Sequence, residues 1–121
     1  MKPRGFTEYA YFTLRLLIER AGCSVFDACS DGVTCWSAGK HACIVVIPKP
    51  LPHMLEVLAH EAGHQFRINK GKNAIMSLVY SPTHDEVEAD RRGAALVATL
   101  LRIFRRDQRE AHGQLAGARK R

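Results

Sequence analysis

Two histidines one helical turn apart bracket a glutamate in the run His60-Glu61-Ala62-Gly63-His64, and Glu86-Val87-Glu88-Ala89-Asp90 follows downstream. An α-helix advances about 100° per residue, so positions i and i+4 point the same way. His60 and His64 can therefore present two neutral ring nitrogens to one cation. Glu61 sits at the edge of that face. It can reach a water on the metal without ligating the metal, take the water's proton and pass it to a leaving amine. Zinc suits this task because it lowers the pKa of bound water to about 7. Histidine pair and carboxylate together describe a mononuclear zinc site that hydrolyses peptide bonds.

A catalytic zinc takes three protein ligands, so two histidines need a companion. Three sources are open: His84, Cys43 and Glu86. Glu86 is the best placed, because Asp90 lies one turn further on the same helix face. A carboxylate at Asp90 can accept the N–H of His60, fix its tautomer and strengthen it as a donor. Glu88 points elsewhere and reads as a surface carboxylate favoured by a helix N-terminus. The blander reading of this acidic run is helix-start charge alone, which explains its sign but not its pairing with a histidine helix. Tyr80 or His84 could donate to the oxyanion of a tetrahedral intermediate. His41, His53 and His112 have no companion at ligand spacing.

Positioning these residues requires a particular order of elements. Ala10, Leu14, Leu17, Ile18 and Ala21 recur at helical spacing, which predicts a first helix over 7–21, capped by Thr7 and ended by Gly22. Residues 23–26 suit a short extended piece, and Ser30-Asp31-Gly32 a turn. Strands are expected over 33–37 and 41–47, joined by Ala38-Gly39-Lys40. Pro48, Pro50 and Pro52 stop that sheet. The histidine helix follows over about 52–69, with Leu55, Leu58, Ala59 and Ala62 facing inward and Phe66 beside them. Residues 69–73 are turn-like, and 74–80 form a strand or a loop over the site. Ser81-Pro82 signals the start of a last helix over about 82–104, striped by Val97, Leu100, Leu101 and Phe104.

A hydrophobic content of 46% with 25% charged residues is ordinary globular composition. A chain of 121 residues is expected to form a single domain across 1–121. No apolar run is long enough to cross a membrane, and no secretory leader is expected ahead of the first helix. A cytoplasmic location is expected, with Cys23, Cys29, Cys35 and Cys43 as reduced, mostly buried thiols. They contain no C-x-x-C pair, which argues against a separate structural zinc. The net charge is +6, and much of the excess lies in Arg102, Arg105, Arg106, Arg109, Arg119, Lys120 and Arg121. A solvated helix end and a frayed tail over 105–121 account for it. A nucleic-acid footprint has only the charge behind it, with no aromatic interleaving.

Leu58-Ala59-His60-Glu61-Ala62-Gly63-His64, combined with Glu86-Val87-Glu88-Ala89-Asp90 and Gly93-Ala94-Ala95-Leu96, resembles the ImmA/IrrE metallopeptidase family. The resemblance covers roughly residues 33–101. It implies an α+β minimal gluzincin, zincin-like in fold: an N-terminal helix, a small sheet with a hairpin, the histidine helix, and a C-terminal helix carrying the glutamate. It also implies zinc held by His60, His64 and Glu86, with Glu61 as catalytic base and Asp90 orienting a ligand. Family members cut regulatory proteins, so the implied partner is a protein substrate such as a transcriptional repressor. The chain departs from the family where Arg91-Arg92-Gly93 replaces the usual phenylalanine before the alanine run. The alternative function is a zinc-stabilised module that sequesters a regulatory or defence protein without cutting it. A deformylase would need an upstream cysteine motif that Cys43 does not supply.

Overall fold

The computed structural model describes residues 5–27, 33–35, 42–69 and 76–119. Its elements run α1 (Phe6–Arg20), β1 (Cys23–Asp27), β2 (Val33–Cys35), β3 (Ala42–Val46), α2 (Leu51–Gln65), β4 (Phe66–Asn69), β5 (Ser77–Tyr80) and α3 (Glu86–Arg119). This is a small α+β arrangement. β1 and β2 flank β3 in one sheet, β1 parallel to it and β2 antiparallel. β4 and β5 form a separate antiparallel pair.

Three helices supply most of the core. Ala10, Leu14 and Ile18 of α1 are buried at helical spacing, as the sequence predicts, and Tyr11 joins them. Thr7 does not cap this helix: Gly5 stands at the N-cap, without a side-chain bond. Gly22 follows the helix at φ 96°, a conformation that favours glycine, and lets the chain turn directly into β1. Leu55, Leu58, Ala59 and Ala62 of α2 all face inward, against Leu96 and Leu100 of α3 and against Ile44 and Val46 of β3. Phe104 extends this contact to the start of α1, its ring 5.6 Å from Phe6 and 5.0 Å from Tyr9.

The histidine helix ends at Gln65, earlier than its pattern implies. Phe66 takes extended backbone and pairs with Tyr80, so its buried ring reaches the core from a strand rather than a helix. The last helix begins at Glu86 rather than at Pro82. Asp85 caps it, its Oδ1 accepting the N–H groups of Val87 at 2.9 Å and Glu88 at 3.3 Å. α3 then runs past Phe104 to Arg119 instead of fading, carried by good helix formers such as arginine, glutamine and alanine.

Cys43 is disulfide-bonded, which corrects the expectation of free thiols. The backbone register of β2 and β3 sets Cys35 opposite Cys43. Cys23 is free and buried. Burial pushes its thiol up to about 11, with the Gln65 side chain pulling more weakly the other way. No helix among the described residues is long and apolar enough to cross a membrane. The expected turns at 30–32 and 38–40, and His41, fall outside the described residues.

Candidate metal centre

α2 and α3 cross antiparallel at very short range, and two glycines make that possible. A Cβ on Gly63 would lie 2.1 Å from the Ala89 carbonyl oxygen; one on Gly93 would lie 2.6 Å from that of Ala59. Backbone therefore meets backbone at both ends of one helical turn. The same crossing sets His60 opposite Asp90 and His64 opposite Glu86. Apolar contacts of Ala59, Ala62 and Leu96 hold it shut behind the polar face.

On that face three side chains converge. His60 Nε2 and His64 Nε2 are 3.1 Å apart. The Glu86 carboxylate spans them, with Oε2 2.7 Å from His60 Nε2 and Oε1 3.2 Å from His64 Nε2. A tetrahedral zinc with arms of roughly 2.0–2.1 Å would need ligand atoms about 3.3 Å apart. The 3.1 and 3.2 Å separations sit near that value, while the 2.7 Å contact is a hydrogen-bond distance that an ion would have to open, so the donor set fits zinc by its chemistry. Of the three sources for a third ligand, Glu86 is the one the structure brings onto the imidazole pair. Cys43 is in a disulfide and has no thiolate to offer.

Each imidazole is fixed from behind. His60 Nδ1–H donates to Asp90 Oδ1 at 2.6 Å, as the spacing of Glu86 and Asp90 predicts. His64 Nδ1–H donates to the Thr83 carbonyl at 2.8 Å. Both contacts leave Nε2 as the nitrogen aimed at the common point, which is how metal-binding histidines are commonly oriented. Burial pulls the His60 pKa down, but hydrogen bonds to Asp90 and Glu86 outweigh it and leave the pKa above its ordinary value. The carboxylates thus favour a cation here, and a divalent ion would compete with a proton for His60.

The ligand-capable atoms of His60, Glu61 and His64 all lie within 4.8 Å of one another. Glu61 is therefore near enough to work on a water beside the cation. The site is open: the side chains of Glu86 and Asp90 are 72% and 75% exposed. A groove of about 520 Å³, lined by Ala59, His60, Asp90, Gly93 and Val97, continues from it between the helices.

Tyr80 ends β5 with 48% of its surface exposed and its ring edge-on to Phe66. His84 is exposed, on the segment that leads into α3. Glu88 is no isolated surface carboxylate: it pairs with Arg91 and Arg92. Sequence reasoning missed Thr83, because it acts through a backbone carbonyl that every residue carries. It also missed Arg92, whose guanidinium donates to the Ser81 carbonyl and, at 3.1 Å, to Glu88. The i, i+4 spacing of Glu88 and Arg92 was the available signal. Compared with known families, curated proteins and solved structures, the chain matches none.

Proposed function

We propose that this protein is a zinc-dependent endopeptidase that cuts a specific regulatory protein. One observation carries the reading: the Glu86 carboxylate bridges the Nε2 atoms of His60 and His64, while Asp90 and the Thr83 carbonyl hold the opposite ring nitrogens. His60, His64 and Glu86 would hold the ion. When bound, zinc would supply a Lewis acid that polarises the scissile carbonyl and eases deprotonation of water near neutral pH.

The chain's own groups do the rest. Asp90 and Thr83 keep both imidazoles in the tautomer that presents a lone pair. Glu61 takes the proton of the attacking water and delivers it to the departing amine. Tyr80 and His84 are the candidate donors to the developing oxyanion. The exposure of Glu86 and Asp90 supports a polypeptide substrate, which needs an open approach rather than a closed pocket. A repressor-like target rests on the family resemblance.

Replacing Glu61 with glutamine tests the reading. Glu61→Gln should keep zinc, lose cleavage by at least about a hundredfold, and hold uncut substrate in a pull-down. A variant that cuts as fast as the wild type would remove Glu61 as the base. If the biological effect of the protein is unchanged in Glu61→Gln, it acts by sequestering its partner instead.

A further inference from the structure

One segment, 81–85, governs both sides of the metal centre. It is stitched to the end of α2: Ser81 N–H donates to the Gln65 carbonyl and Thr83 N–H to the His64 carbonyl, each at 2.7 Å. The Thr83 carbonyl in turn accepts Nδ1–H of His64. Further along, Asp85 N–H donates to Thr83 Oγ1 at 3.1 Å, and the Asp85 carboxylate caps α3, fixing where Glu86 begins. The ring of one ligand and the helix start of another therefore depend on where this short stretch lies.

Arg92 ties the stretch down. It sits on α3 beyond the cap, with its side chain only 18% exposed, and reaches back so that Nη1 donates to the Ser81 carbonyl. Its Nε donates to Glu88 Oε1, which holds the fork in the plane needed for the second bond. Resting on the zinc-site reading above, we propose that Arg92, oriented by Glu88, is a positioning residue for the metal centre: by clamping Ser81 it sets the Thr83 carbonyl on His64 and the start of the helix that carries Glu86. It touches neither metal nor substrate. A lysine cannot replace it, because a single ammonium does not offer two donors at fixed angles to two separate acceptors.

The test compares wild type, Arg92→Lys and Glu88→Gln as purified full chains. Three readouts are used: affinity for Zn²⁺ by competition with a chromophoric chelator, the visible spectrum of the Co²⁺-loaded protein, and the His64 tautomer by ¹⁵N correlation in the metal-free protein. Arg92→Lys should keep the wild-type far-UV circular dichroism. It should bind Zn²⁺ about tenfold more weakly, alter the Co²⁺ bands, and reduce the Nδ1–H population of His64. Glu88→Gln should move all three readouts the same way by less, and the double variant should match Arg92→Lys alone. Wild-type affinity, Co²⁺ spectrum and tautomer in Arg92→Lys would overturn the proposal. So would loss of helical structure in the metal-free Lys variant, which would make Arg92 a general structural residue. A wild-type chain that binds neither metal would instead sink the zinc reading itself, and this inference with it.

Discussion

Gly63→Ala is the sharpest probe of how the site is built. In an exposed helix the change would stabilise, since alanine is favoured over glycine by about 1 kcal/mol. Here the new methyl would stand 2.1 Å from the Ala89 carbonyl oxygen and 2.9 Å from its carbon, both backbone atoms that no rotamer can move. Reaching ordinary contact distance requires α2 and α3 to part by roughly 1 Å. Overpacking of this kind costs about 1–3 kcal/mol, which equals or exceeds the propensity gain. The metal centre should suffer more than the fold, because ligand distances tolerate only about 0.2 Å of error. We expect a metal-free melting temperature a few degrees lower, on the order of 4 °C per kcal/mol. Zinc affinity should fall by at least about tenfold. Thermal circular dichroism with chelator, followed by zinc competition titration, reads both. A variant that is more stable than wild type and binds zinc equally well would refute the close-crossing argument.

Asp85→Ala should cost about 1 kcal/mol in urea denaturation and weaken zinc binding, since it uncaps the turn that bears Glu86; an unchanged midpoint would remove Asp85 as the cap. The pKa of His60 is raised in the folded state, so its contribution to metal-free stability is present below its ordinary value near 6.5 and is lost as pH rises through the folded value. Zinc binding should run the opposite way, strengthening over that same rise as the proton leaves. Asp90→Asn should move the His60 midpoint downward in an NMR titration, and a midpoint that stays put would show that Asp90 does not set it.

The centre was more legible in the sequence than its scaffold. His60, Glu61, His64, Glu86 and Asp90 carry their chemistry in their residue types, and the i, i+4 spacing fixes which of them share a face. The inward stripe of α2 was equally plain. Its end was not, because Phe66 fits the buried face of a helix and of a strand, and only pairing with Tyr80 decides between them. Ser81-Pro82 looks like a helix start, yet the Ser81 backbone is taken by Gln65 and Arg92, which leaves the cap to Asp85. The hold on His64 runs through the Thr83 carbonyl, a group with no signature in sequence. The close approach at Gly63 and Gly93 was not legible either, because a glycine carries no sign of the backbone that packs against it. The expected reducing setting implied free thiols, whereas Cys43 is disulfide-bonded.

Equilibrium zinc titration of the wild-type chain beside Glu86→Ala tests the three-ligand centre most directly. The geometry predicts one zinc per wild-type chain, and a loss of affinity of at least about a hundredfold when the carboxylate that spans His60 and His64 is removed. Wild-type protein that takes up no zinc, or a Glu86→Ala variant that binds it as tightly as wild type, would contradict the account.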